Sequence, residues 1–220
     1  RGIGHTRFKM TEIGEIPESW EVISANDLVP GTAPICYGIL MPGKGYPGGI
    51  PVVKVKNLVD DRVQEEGLLL TSPELDREYA RSRLRGGDLL LSIRGTTGRL
   101  ALVPQSLEGA NITQDTVRIR VEKRLTPLFA FYCLQGSSSQ RQIQLHTIGQ
   151  AVKGINVKEV RKIKLPRPPK KEQEQICAVL QSVDEWCGTH RLELSGLTSS
   201  RSGLTQDLLT GHVRVHMRKE

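Results

Sequence analysis

The apolar positions of this 220-residue chain follow two different periods, and the change from one to the other divides it. Through residue 166 they come as short runs bounded by turn residues. Pro51–Lys56, Asp88–Ile93, Arg99–Val103 and Thr116–Val121 each read as a β-strand. The last of these alternates apolar with basic residues, the pattern of a strand with one face in water. Two helices are expected among the strands. Ser72-Pro73-Glu74 opens one, with Ser at the cap and Pro at the first helical position. Thr126-Pro127 opens the other, which runs through Leu128, Phe129, Phe131, Tyr132 and Leu134 until Gly136 stops it. Strands and helices do not alternate strictly, so the expected class is α+β rather than a doubly wound sheet.

The second period begins after Leu165-Pro166-Arg167-Pro168-Pro169, a stiff extended segment that no helix or central strand can cross. From there, spacings of four and three alternate through Ile176, Leu180, Val183, Cys187, His190, Leu194, Leu197, Arg201, Leu204 and Leu208. Eight of the ten are apolar, and the period is that of a coiled-coil seam. A helix from Lys170 to Leu209 would be about 60 Å long at 1.5 Å per residue, more than a domain of this size spans. The helix is therefore expected to project and pair; folding back on its own domain is the competing arrangement. Gly188, Gly196 and Gly203 each weaken it by about 1 kcal/mol relative to Ala, which shifts the burden onto a partner helix. His190 and Arg201 on the seam cost stability and can set register. Gly211 stops the helix, and a basic tail follows: Arg214, His216, Arg218 and Lys219. The expected division is a globular domain over 1–169 and a long helix with its tail over 170–220.

Composition narrows the partners. Lys and Arg number 31 against 24 Asp and Glu, a formal net charge of +7 with pI near 9.4, which favours a polyanion. Aromatic residues make up only 4%, few for a protein that stacks single-stranded bases on rings, so the balance leans toward duplex. No run reaches the roughly 18 apolar residues of a transmembrane helix, so no membrane role is expected. The opening Arg1-Gly2-Ile3-Gly4-His5 has no apolar segment behind its charge, unlike a secretory signal, and no initiator Met, as in a fragment. Cys36, Cys133, Cys177 and Cys187 are scattered without a CxxC pair, so reduced thiols in a cytoplasmic protein are expected rather than disulfides or zinc.

The chain offers little catalytic chemistry. Gly43-Lys44-Gly45-Tyr46-Pro47-Gly48 matches GxGxxG, but Pro47 and Pro51 forbid the helix a dinucleotide site needs. Gly38 to Gly45 has P-loop spacing except that Gly45 stands where a magnesium-binding Ser or Thr belongs. No Asp or Glu is followed two positions later by Lys, as a metal-dependent nuclease would require. An Asn/Asp-Pro-Pro-aromatic motif is missing too. His5, His146, His190, His212 and His216 lie far apart, and no nucleophile, base and acid assemble. No catalytic residue, metal site or cofactor is expected.

What remains is a set of basic and polar loops. Ser92–Arg99 joins two strands through a turn whose glycines let backbone N–H groups approach phosphate. Arg94 and Arg99 can grip phosphate or guanine bidentately, and Thr96 and Thr97 add hydroxyls. Asn111 and Gln114 carry amides suited to adenine edges. Lys44, Lys54, Lys56 and Lys153 add positive charge, together with Arg62, Arg81, Arg83, Arg85, Arg118 and Arg120. For each single Lys or Arg, a solvated surface position is the competing reading.

Several segments resemble a known family. Thr11–Val22 is similar to the start of a target recognition domain in the specificity subunits of type I restriction–modification enzymes, as are Gly87–Ser92 and the Arg94–Gly98 turn. The junction Ile163–Pro169 with Glu172, Gln173, Ile176, Leu180 and Asp184 resembles the opening of that family's long helix, and Leu204–Val215 resembles its close. Arg167 inside the apolar-Pro-Pro run and the three helix glycines depart from the pattern. The resemblance covers nearly the whole chain and implies a non-catalytic subunit that reads double-stranded DNA. Complete subunits carry two recognition domains and two long antiparallel helices on a bipartite site; one domain and one helix make a half-subunit. It implies a homodimer paired through the 170–210 helix, with the helix as a ruler between half-sites. The implied partners are methyltransferase subunits, which hold S-adenosylmethionine, and a translocating restriction subunit. A recognition fragment of a fused restriction–methylation enzyme and a coiled-coil adaptor without DNA reading remain as alternatives.

Overall fold

The computed structural model describes residues 4–150 and 153–213. The expected basic tail, Arg214 to Lys219, lies outside the described residues, as do Arg1, Gly2 and Ile3 of the opening segment. The class is α+β, with the long helix at the C-terminal side. The chain divides into two compact units, Arg1–Gln175 and Ile176–Glu220.

The first unit is built on a six-stranded sheet in the order Cys36–Tyr37, Thr116–Ile119, Leu89–Ser92, Leu100–Leu102, Arg62–Val63, Leu58–Val59. Neighbours are antiparallel except for Leu100–Leu102 beside Arg62–Val63. A three-stranded sheet, Asn111–Ile112, Ile50–Val53 and Leu69–Thr71, joins a core of Val53, Leu84, Leu90, Ala101 and Ile112. The strands and both capped helices fall where the apolar runs put them. Ser72 Oγ accepts the Leu75 N–H (3.3 Å) at the start of Pro73–Glu78, and Thr126 Oγ1 accepts the Phe129 N–H (3.3 Å) at the start of Pro127–Gln135.

One expectation is overturned. Thr116–Ile119 has no wet face: all four residues are buried, so both faces of this strand, which lies second in the sheet, are covered. Arg118, in register with Leu90 on one side and Cys36 on the other, is 1% exposed. Its Nη2 donates to Pro34 O at 3.1 Å. Arg120 at the strand's end donates twice to Asp88, at 2.8 and 2.7 Å, and this carboxylate raises the guanidinium's pKa above its usual value. The alternation of apolar and basic residues records a strand buried on both faces, with its arginines absorbed internally.

The proline-rich junction is itself a strand. Lys164–Arg167 pairs antiparallel with Glu21–Ser24 in a two-stranded sheet, where Pro166 can sit because an edge position spares its missing N–H. The helix Lys170–Leu209 then begins inside the first unit, so that unit runs a few residues past the expected boundary at 169. Gln173 is buried there: Oε1 accepts the Thr126 N–H (2.9 Å), and Nε2 donates to Pro168 O (2.9 Å) and Arg124 O (3.2 Å). Glu172 accepts the Trp20 indole N–H at 3.0 Å, and His5 Nε2 lies 2.6 Å from its other oxygen. The helix spans the expected 40 residues, and on its part in the second unit Val183, Leu194, Leu197, Leu204 and Leu208 of the seam are exposed. A Cβ at Gly188, Gly196 or Gly203 would meet nothing within 4 Å among the described residues.

Gln173→Leu leaves a buried N–H and two carbonyls without their partner. Unfolding free energy from a urea titration followed by circular dichroism should fall by about 1–3 kcal/mol, the cost of an unmet buried polar group.

Candidate nucleic-acid interface

The turn between Leu89–Ser92 and Leu100–Leu102 is closed by its own first residue. Ser92 Oγ accepts the Arg99 N–H (2.8 Å) and donates to Thr96 O, while Gly98 N–H donates to Ser92 O (3.0 Å). Gly98 has φ +89°, and a Cβ there would stand 2.6 Å from Gln140 Oε1. Only glycine fits that combination. Gln140 Nε2 donates to Gly98 O at 3.1 Å, fastening the turn to the helix Ser137–Leu145.

Two segments distant in sequence join this turn. The N–H groups of Ile93 and Arg94 both donate to Asp115 O, at 2.8 and 3.3 Å, and Arg94 Nη1 donates to Gln114 Oε1 at 3.2 Å. On the other side Gly95 N–H donates to Lys153 O (3.0 Å), and Arg94 forms an antiparallel bridge with Gly154. Gly154–Ile155 pairs with Thr147–Ile148 in a hairpin, and Thr97 Oγ1 lies 3.5 Å from Thr147 Oγ1. The result is one rim built from 94–99, 113–115, 147–148 and 153–155. Arg94, Thr96 and Lys153 are exposed on it, and Thr97 and Gln114 are half-buried. Arg99, also exposed, stands on the far shoulder of the turn with Nη1 3.4 Å from Leu58 O. Among the described residues, Arg94, Arg99 and Lys153 form no ion pair. Arg83 differs: it is bound to Asp76, whose hydrogen bond raises its pKa above the usual value.

Asn111 requires a correction. It is 0% exposed, and its amide is fully engaged. Nδ2 donates to Asp76 Oδ1 (2.8 Å) and Tyr79 O (3.2 Å); Oδ1 accepts from Ser82 Oγ (2.7 Å) and from the Ile112 N–H (2.9 Å). No hydrogen-bonding capacity remains for a base edge, so Asn111 belongs to the core network. The remaining lysines are dispersed. Lys54 follows Val53, whose carbonyl accepts the Thr113 N–H (3.2 Å), so it neighbours the rim. Lys56 is exposed on the short Val55–Asn57 turn, and Lys44 is exposed on the Gly43–Gly48 segment, a loop with positive φ at three glycines. Neither is hydrogen-bonded to the rim through its side chain.

The hairpin Thr147–Ile155 was not legible as part of the site, since strands of two residues show no period. The helix Ser137–Leu145 that holds the turn carries only two apolar residues and no proline start. Glycines at 149 and 154 were the remaining signal. Among the described residues, no group of three or more His, Cys, Asp or Glu is placed to hold a metal ion, and no helix is long and apolar enough to cross a membrane.

Thermal melts separate the two kinds of residue. Asn111→Ala should cost about 1–3 kcal/mol of stability, because it strips partners from buried Asp76 and Ser82. Arg94→Ala should stay within about 0.5 kcal/mol of the parent, as exposed substitutions do.

Residues 43–193, more than half the chain, match the family model described as the type I restriction modification DNA specificity domain. Among curated proteins, the chain is 28% identical over 195 residues to the EcoBI type I restriction enzyme specificity subunit of Escherichia coli, covering 88% of this chain and 41% of that protein. It is 27% identical over 215 residues to the putative MjaX specificity subunit of Methanocaldococcus jannaschii, covering 95% of this chain and 50% of that one. The crystal structure of the HsdS subunit from Thermoanaerobacter tengcongensis shares the fold, with a TM-score of 0.62 at 18% identity over 93% of this chain and 52% of that chain. The chain thus spans about half the length of the curated relatives it matches. By the match over residues 43–193, it belongs to the type I restriction modification DNA specificity domain family.

Proposed function

We propose that the unit Arg1–Gln175 reads sequence in double-stranded DNA for a type I restriction–modification complex. The observation that carries this reading is the turn and rim on which Arg94, bonded to Gln114, and Lys153 stand exposed, with Arg99 exposed on the far shoulder, all three without carboxylate partners among the described residues. Arg94 and Arg99 have the planar donor fork that matches guanine O6 and N7, while Gln114 can donate to and accept from adenine N7 and N6. The bond from Arg94 to Gln114 holds both side chains in one orientation before DNA arrives, which reduces the ordering cost of binding. Lys153, with Thr96 and Thr97, supplies phosphate contacts that fix register. Lys44, Lys54 and Lys56 extend the positive surface.

The chemistry is assigned to partners: methyltransferase subunits and a restriction subunit that translocates DNA. This chain acts as the non-catalytic guide. The half-length match to the curated relatives supports a half-subunit, and the exposed seam residues of the helix support its completion by a second copy. In that homodimer the paired helices separate two half-sites. Methyl transfer or cleavage by the purified chain alone would contradict the division of labour.

Duplex binding should weaken steeply with added salt, in proportion to the phosphates neutralised. Arg94→Ala and Arg99→Ala should each cost about 1–3 kcal/mol on a subset of sequences when titrated against a panel of duplexes. A loss equal on every sequence would make them phosphate contacts, and failure to bind at low salt with methyltransferase subunits present would sink the reading. For the helix, Leu194→Glu with Leu197→Glu should halve the mass seen by light scattering; an unchanged mass refutes seam pairing.

A further inference from the structure

Directly after Ile39, whose carbonyl accepts the Gln114 N–H, the chain exposes two large apolar side chains, Leu40 at 46% and Met41 at 83%. Exposed apolar residues are common on loops free to move. This loop is fastened on both sides. Before it, Gly38 N–H donates to Thr113 O (3.2 Å), Ile39 N–H to Ile112 O (2.8 Å), and Ile39 O accepts the Gln114 N–H (2.9 Å). The backbones approach so closely that a Cβ on Gly38 would lie 2.0 Å from Ile112 O. After it, Pro42 restricts both its own φ and the conformation of Met41, and Pro42 O accepts from Thr71 Oγ1 at 3.4 Å. Leu40 is therefore adjacent in the chain to the residue whose carbonyl holds Gln114. Exposed Lys44 follows shortly after Met41.

We propose that Leu40 and Met41 are specificity determinants that recognise the 5-methyl group of a thymine in the major groove, in duplex DNA bound across the rim. The proposal rests on the DNA-reading function above and names part of what is read. The major-groove edge of a base pair is polar except where thymine presents its methyl group. An apolar surface held against that methyl removes both from water at no polar cost. Held against a cytosine amino group or a guanine carbonyl, it would desolvate a polar group without replacing its hydrogen bond. Continuity with the rim that carries Arg94 and Lys153, together with exposed Lys44 just along the chain, fits a polyanionic occupant rather than an apolar protein segment. Fastening at both ends keeps these side chains in register with Gln114, so the apolar and the polar contact would fall on neighbouring base pairs.

The test uses deoxyuridine, which differs from thymidine only by that methyl. The full chain, with methyltransferase subunits added, selects from a random-sequence duplex library, and each thymine of the most enriched duplex is then replaced singly by uracil. At one thymine of the half-site, the replacement should weaken binding by about fourfold, the effect of burying one methyl group. The doubly substituted Leu40→Ala, Met41→Ala chain should lose that sensitivity, whereas Arg94→Ala should bind more weakly yet keep it. Both apolar residues are exposed, so their truncation leaves the core intact. A flat uracil scan on a selectively bound duplex overturns this proposal and leaves the DNA-reading function standing, as does a fourfold effect that persists in the double variant. Absence of selective binding to any duplex overturns both.

Discussion

The backbone of Asn111–Asp115 cannot be buried without partners for its N–H and C=O groups, and the partners it takes are the segments that carry the rim. Asn111 and Ile112 pair with Val52 and Val53, and the Thr113 N–H donates to Val53 O. Ile112 O and Thr113 O accept from Ile39 and Gly38. The Gln114 N–H goes to Ile39 O, and Asp115 O accepts from Ile93 and Arg94. Five residues thereby fix three segments that lie far apart in the chain: 38–39, 52–53 and 93–94. The buried bonds of Asn111 to Asp76, Tyr79 and Ser82 anchor the head of this segment, so the amide that looked suited to a base edge instead secures the scaffold on which other side chains are presented.

Charge is sorted by the same scaffold. Arg118 is taken inside the sheet, and Arg120 and Arg83 are bound to Asp88 and Asp76. These arginines contribute to the net charge of +7 while offering little to a polyanion. Those that remain free of carboxylates on the rim, Arg94 and Arg99, sit on the turn that the tight strand connection forces outward. Burying a charge is costly without hydrogen-bonding partners, and Arg118 is met only in part: Nη2 donates to Pro34 O, while Nε and Nη1 are buried without a partner among the described residues. Position within the sheet, rather than residue type, decides which arginine is structural.

The helix is governed by a different balance. An isolated helix depends on tertiary partners for most of its stability, and three interior glycines make that dependence stronger here. Its first turns are secured by Glu172 and Gln173, which satisfy the Trp20 indole, the Thr126 N–H and two carbonyls of the first unit. Beyond Gln175 the seam residues Val183, Leu194, Leu197, Leu204 and Leu208 are exposed.

Features encoded within one helical turn or one strand are legible in the order of residues alone. The caps at Ser72 and Thr126, the strands about Val52, Leu90, Ala101 and Val117, and the full extent of Lys170–Leu209 follow from local period and capping chemistry. Family membership is legible too, because its signature residues lie in contiguous segments. The burial of Asn111 and Arg118, the internal pairing of Arg120, and the convergence of Arg94, Gln114 and Lys153 are not. Those depend on which backbone groups meet across tens of residues, and a one-dimensional pattern of polar and apolar positions does not specify such pairings. The sequence alone determined the elements that carry a clear period or cap, and the family. Only the tertiary structure decided which polar side chains face solvent, because most buried N–H groups, carbonyls and charges are held by partners brought in from distant segments.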